Sequence, residues 1–308
     1  MNKRLGDIDM SQKVNVVCPL AEKDVGSYYR GLDSLEKYID VKKFVVIGND
    51  KVKEKVEERG DLRVEFVDEN QLVSYSEVKD IIAKISSNNE FCLKRTGWYL
   101  QQFLKFSYAF VCEDEYYILW DADTMPIHKH EMFDGDKLVF DVKTEHHEPY
   151  FETFSKLFPQ YIKRLPYSYI VEHMIIKKSI MLELIEELSK AKVSGESWYE
   201  KVLNAINLAD LPKSGFSDYE TYGLFCLNKY PDVYIERKWD SLRPASSFFE
   251  YEKMRDCDYE WLLKDYDAVS FEAYIKVKKY MNIICRNRFV QKRFSCKAVL
   301  RKLHQFTI

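Results

Sequence analysis

The sequence predicts an α/β fold: a mostly parallel central sheet flanked by helices, with a basic helical tail at its C-terminal end. Three observations point there. Short apolar runs at 14–20, 43–50 and 62–68 are separated by charged amphipathic stretches, and strands that alternate with helices build βαβ units. An uninterrupted apolar and aromatic run, Tyr116-Tyr117-Ile118-Leu119-Trp120, leads straight into Asp121-Ala122-Asp123; it reads as a buried strand with two carboxylates at its carboxyl end, the edge where open α/β sheets bind ligands. The chain has 308 residues, 46 % hydrophobic and 31 % charged, the composition of a globular protein with a substantial core.

Taken in order, 14–20 is a first strand ended by Pro19, and 25–39 its helix. A second strand over 43–50 closes in Asn49-Asp50, a short charged helix covers 51–59, and 62–68 is a third strand. No GxGxxG or P-loop follows strand one, so a nucleotide bound here is not held by a glycine-rich loop. The next helix opens at 94–106 with its apolar face at 99, 100, 103, 104 and 106. Arg95 at its start could meet a phosphate. After the Asp121 strand, 137–142 is another strand. His146-His147 is a poor metal pair, because adjacent residues on an extended chain face opposite ways; both are expected in a solvated loop. The run 167–176 looks like a strand, yet it carries Glu172 and His173 inside apolar sequence, and a buried carboxylate must be paired or functional. Helices are expected at 180–191, 198–208 and 249–264, with a short strand at 233–236 between the last two. Ser217 and Glu220 form a capping-box pattern that opens one more helix; Asp218 has no such duty and could project into a cleft.

A bare D-x-D is common, and four others occur, at 7/9, 134/136, 256/258 and 265/267. None follows an apolar run of comparable length. If the chain turns after Trp120, Asp121 and Asp123 can serve one ligand, as carboxylates do that hold a divalent cation on substrate phosphates.

Four segments carry a resemblance: Gly97-Trp98-Tyr99-Leu100-Gln101-Gln102-Phe103-Leu104-Lys105, Asp121-Ala122-Asp123-Thr124, Glu172-His173-Met174 and Phe216-Ser217-Asp218-Tyr219-Glu220-Thr221-Tyr222-Gly223. Together they resemble the bacterial family DUF6492, placed among GT-A glycosyltransferases, over roughly 14–245. The resemblance implies a GT-A-like, metal-dependent enzyme that moves a sugar from a nucleotide-sugar donor, a UDP-sugar expected first, to a surface-polysaccharide acceptor such as lipopolysaccharide, capsule or O-antigen. It implies Mn²⁺ or Mg²⁺ on Asp123, with Asp121 sharing the metal or reaching the donor ribose. Pro19, Leu20, Ala21, Asn49 and Asp50 would frame base and ribose. If configuration inverts, a carboxylate must take the acceptor proton; Asp218, Glu220 and Glu172 are candidates in that order. Two rivals stand beside this. A HAD-type phosphatase would use Asp121 as nucleophile and Asp123 as acid/base, though that motif usually opens its domain. A sugar-binding protein without activity is the other.

The seven cysteines show no CxxC spacing, which reads as reduced thiols in a cytoplasmic protein. Residues 1–12 are polar with no apolar signal core. Net charge is −3 but uneven. Residues 273–308 hold ten Lys/Arg and no Asp/Glu, which leaves the first 272 at a formal −13. The expected division is therefore a catalytic domain over 1–272 and a basic amphipathic tail over 273–308. The tail has Val277, Tyr280, Met281 and Ile284 on one helical face, extended imperfectly by Cys285, Phe289, Cys296, Val299, Leu300 and Leu303. Such a helix lies in an anionic membrane surface, which would place the protein peripherally at the inner face of the membrane; the alternative is that it docks on the acidic body. A body at −13 repels nucleic acid.

Overall fold

A computed structural model of the chain describes residues 13–162, 165–272 and 275–305; the polar segment 1–12 lies outside them. The strands are β1 Val14–Pro19, β2 Val41–Gly48, β3 Val64–Asp68, β4 Tyr116–Trp120, β5 Thr124–Pro126, β6 Phe133–Asp134, β7 Lys137–Val142, β8 His173–Lys177, β9 Tyr234–Lys238, β10 Ser241–Leu242 and β11 Ala268–Ser270. The helices are α1 Val25–Tyr38, α2 Asp50–Arg59, α3 Tyr75–Ser86, α4 Glu90–Leu93, α5 Thr96–Ser107, α6 Glu148–Leu157, α7 Lys178–Lys190, α8 Trp198–Ala205, α9 Asp218–Lys229, α10 Asp256–Leu262, α11 Lys279–Cys285, α12 Arg288–Arg293 and α13 Cys296–Gln305.

The central sheet runs β3-β2-β1-β4-β8. Its first four strands are parallel, and β8 joins antiparallel to β4, with Trp120 opposite His173. This is the expected fold class, a mostly parallel sheet flanked by helices. Tyr117, Ile118, Leu119 and Trp120 are each at most 1 % exposed, which explains why β4 is apolar without alternation. Local signals fix the connections. Asn49 caps α2 by accepting the Val52 N–H, and Gly60 ends that helix at φ +60°, where a side chain would be strained.

The chain forms two units, each built from separated segments. The first takes in the chain up to Glu22, Val41–Trp120 and Met132–Lys238, and holds the central sheet and the small sheet β6-β7-β9. The second takes in Lys23–Asp40, Asp121–Glu131 and the chain from Trp239 onward. There β5 pairs antiparallel with β11, which pairs with β10. One apolar cluster unites Met125 and Ile127 with Phe248, Trp261, Val269, Met281, Cys285, Cys296 and Leu300. The expected division at 272/273 differs from this one.

Several elements depart from expectation. The run 167–176 is a strand only from His173; before it the backbone is irregular apart from a bridge between Lys143 and Ser168. Helix 249–264 shrinks to α10, and α3 and α6 were not expected. The tail is three short helices, because Asn287 caps α12 by accepting from Phe289 and Val290 N–H and Ser295 accepts from Ala298 N–H. No described helix is long and apolar enough to cross a membrane.

Candidate active site

In the first unit, α5 and the start of α9 are bound to one another. The Gln102 Oε1 accepts the Asp218 backbone N–H at 2.9 Å, and Lys105 Nζ pairs with Asp218 Oδ2 at 2.8 Å. Both side chains are buried, and the ammonium lies 4.1 Å from the Tyr219 ring centre. Upstream, Tyr99 donates to Leu211 O and accepts from Gly215 N–H, while Arg95 stacks on Trp98 at 4.2 Å and reaches Ser214 Oγ at 3.4 Å. Burial lowers the Arg95 pKa. From the same helix, Gln101 reaches Pro19 O at the end of β1. The Gly-Trp-Tyr and Ser-Asp-Tyr-Glu segments are thus the two sides of one clamp.

Glu220, one turn into α9, is 1 % exposed. Its own N–H donates to Ser217 Oγ, but its carboxylate reaches across to accept the Tyr169 N–H at 2.9 Å. The second oxygen has no hydrogen-bond partner. Burial pushes the Glu220 pKa up to about 8, so the group is protonated at neutral pH. Only the Ser217 half of the expected capping box forms. The Tyr169 ring lies flat on the helix at Gly223, where a Cβ would fall 2.3 Å from Tyr169 Cδ2.

A second buried polar cluster gathers where β7, β8 and β9 meet. Asp141 Oδ2 bonds His173 Nε2 at 2.8 Å, and its carboxylate also accepts from Arg237 at 2.8 and 3.0 Å. The His173 ring stacks on Trp120, centres 4.5 Å apart. Next to it, Glu172 forms a buried ion pair with Lys143 at 2.5 Å. Glu172 is therefore paired, as a carboxylate buried among apolar residues must be.

In the second unit the D-x-D does turn. The Thr124 N–H returns to Asp121 O at 3.2 Å, so both carboxylates belong to one tight turn ahead of β5. The Phe271 N–H donates to Asp123 O, which continues the β5–β11 pairing and brings Glu272 alongside. Burial, Asp121 and Glu272 together push the Asp123 pKa up to about 6. The charges of Asp121 and Glu272 oppose ionisation of Asp123, and carboxylate oxygens are hard donors of the kind that Mg²⁺ and Mn²⁺ take.

A family model matches residues 11–266, and its description is "Family of unknown function (DUF6492)". The chain belongs to DUF6492. No curated protein matches this DUF6492 chain in sequence. Among solved structures it is similar to mouse xyloside xylosyltransferase 1 in its apo form, with 13 % identity, 86 % of this chain and 99 % of that one covered, and a TM-score of 0.39. It is also similar to the glycosyltransferase GlyE of Streptococcus pneumoniae TIGR4, with 9 % identity, 96 % and 64 % covered, and a TM-score of 0.37. Both scores are below 0.5.

The sequence-predicted residues of the DUF6492 chain fall into separate groups. Pro19, Leu20, Ala21, Asn49 and Asp50 lie at the adjacent carboxyl ends of β1 and β2, as expected; Asn49 already serves as a cap. Arg95 and Asp218 lie on the α5–α9 clamp. Glu172 and Glu220 are held apart by different partners. Asp121 and Asp123 join Glu272, which the sequence reading missed; its signal is the β11 run Ala268-Val269-Ser270, which pairs back on Thr124–Pro126. Neither loop histidine is free: His146 pairs with Glu148, and His147 bonds Ser214 O at 2.8 Å. His147 is half-buried, contrary to the expected solvated loop.

Proposed function

We propose that this protein is a metal-dependent glycosyltransferase that moves a sugar from a nucleotide-sugar donor, a UDP-sugar first, to a glycan or lipid-linked glycan acceptor of a surface polysaccharide. The observation that carries the reading is the carboxylate turn. The charges of Asp121 and Glu272 raise the cost of ionising Asp123, and a divalent cation would offset it. When bound, Mn²⁺ or Mg²⁺ would supply Lewis-acid neutralisation of the charge that develops on a leaving nucleoside diphosphate. Asp123 and Glu272 would hold it, and Asp121 would share it or reach the ribose. The exposed ends of β1 and β2, Ala21 and Asn49-Asp50, would frame the nucleoside.

The base assignment follows from protonation and partners. Glu220 holds its proton at neutral pH and cannot accept another there. Asp218, paired with Lys105, is the first candidate to take the acceptor proton if configuration inverts; Glu172, paired with Lys143, is the second. The test is calorimetry of UDP, GDP, CMP and dTDP binding with and without Mn²⁺, on wild type and Asp123→Asn. Metal-dependent binding of one nucleotide, lost in Asp123→Asn with the fold intact, is expected. Unchanged binding in the variant would sink the metal role, and phosphate release from a phosphomonoester in place of nucleotide binding would favour the phosphatase reading.

A further inference from the structure

The C-terminal helices do two jobs at once. Their inner side is core: Met281, Cys285, Cys296 and Leu300 are each at most 3 % exposed and belong to the cluster around Trp261. Their inward polar groups converge on α10. The Gln291 amide donates to buried Asp258 at 2.6 Å, and Trp261 Nε1 donates to Phe294 O at 2.8 Å. Their outer side is also apolar. Tyr280, Ile283, Ile284, Phe289 and Phe294 are 48, 71, 36, 71 and 52 % exposed. Tyr280, Ile283 and Ile284 sit at i, i+3 and i+4 and so share one face of α11. Exposed apolar residues are normally scattered singly. Here five of the thirteen large ones among the described residues fall within fifteen positions.

The charge around that face has one sign. From 273 to 308 there is no Asp or Glu. Among the described residues, Lys276, Lys278, Lys279, Lys292 and Arg293 make no ion pair, whereas Lys297 pairs with Asp240 and Arg286 approaches Asp258 on the inner side.

We propose that this outer face is an interfacial membrane-binding surface for anionic lipid. Exposed aromatic and aliphatic chains call for an apolar partner, and uncompensated cations for an anionic one; an anionic bilayer surface answers both. A second copy of the chain would bring like charge to the same place, and a nucleic acid backbone would leave Ile283 and Phe289 in water. The surface is independent of the reaction proposed above.

The full chain is co-sedimented with vesicles of phosphatidylcholine alone and of phosphatidylcholine mixed with phosphatidylglycerol. Binding to the mixed vesicles that weakens with salt is expected. Lys276→Gln/Lys278→Gln/Lys279→Gln should lower partitioning about 100-fold, at about fivefold per cation. Ile283→Ser/Phe289→Ser should lower it at least about tenfold, with an unchanged melting curve because both side chains are exposed. Protein that stays in the supernatant with mixed vesicles overturns the proposal, as does equal binding to both vesicle types. A concentration-dependent dimer by light scattering, abolished by Ile283→Ser/Phe289→Ser, overturns it in favour of self-association.

Discussion

Replacing Glu220 by Gln should stabilise the protein, and more so as pH rises. In the folded chain this carboxyl is 1 % exposed, has one oxygen on the Tyr169 N–H and the other without a partner, and its pKa is raised from 4.5 to about 8. A raised acid pKa means that the folded state keeps a proton which the unfolded chain releases above about 4.5. Stability is therefore lost as pH climbs from about 4.5 to about 8. At 1.36 kcal/mol per pH unit, the loss reaches about 3 kcal/mol by pH 7 and about 4 kcal/mol by pH 8. Gln keeps an acceptor for Tyr169 and cannot ionise, so the variant resembles the protonated wild type. Urea midpoints at pH 5 and pH 8 measure this: the two proteins should be within about 1 kcal/mol at pH 5, and the variant should be ahead by about 4 kcal/mol at pH 8. Parallel pH profiles for the two proteins would refute the reasoning. A variant less stable at every pH would mean that Glu220 acts as a simple cap after all.

Gly223→Ala should cost about 1–3 kcal/mol in thermal or urea unfolding, since its Cβ would strike the Tyr169 ring at 2.3 Å and that residue is held at both ends, its N–H on Glu220 and its hydroxyl on Glu236. Mn²⁺ affinity should fall about tenfold per pH unit below pH 6, because the Asp123 carboxyl must lose its proton to bind metal; calorimetry across pH 5 to 8 reads it, and a flat profile would count against Asp123 as a ligand. Glu272→Gln removes one of the charges that raise Asp123, so the midpoint of that profile should move to lower pH while overall affinity drops; no movement would exclude Glu272 from the cluster. Lys105→Met should cost about 3–5 kcal/mol by stranding buried Asp218, and Lys105→Met/Asp218→Leu should recover most of it; a double variant no more stable than the single one would show that the pair is not coupled.

Much of the first unit was legible because its signals are local. The all-apolar run before Asp121 is β4, buried on both faces; 137–142 is β7; and the turn chemistry at Asn49 marks the start of α2. What was not legible is what distant residues decide. Nine consecutive residues of α9, Asp218 to Cys226, are buried, so the helix shows little of the polar–apolar alternation that betrays one. The run 167–172 has strand composition, yet its backbone bonds are set by Lys143 and Glu220 from elsewhere in the chain. Glu272 joins Asp121 and Asp123 only because β11 returns to β5. The tail was misread as one helix although its breaks were written in it: Asn287 and Ser295 are both cap-forming residues. With the helices broken there, the apolar residues divide into an inner and an outer set in place of one ragged stripe.

The segmented second unit has a consequence for how the chain is made. Residues of α1 and the 121–131 segment leave the ribosome early, but the cluster that holds Met125 and Ile127 also takes Trp261, Met281, Cys296 and Leu300, and α13 begins about 260 residues after α1 ends. Pairing so distant in sequence is slow to form, and apolar surface that waits for it is prone to misassembly. The first unit, whose last segment ends at Lys238, has all its residues in hand while the second is still incomplete. The carboxylate turn, carried in that second unit, is thus assembled after the first unit's residues are all made. A chain cut short before α13 would carry a finished central sheet and an unfinished site.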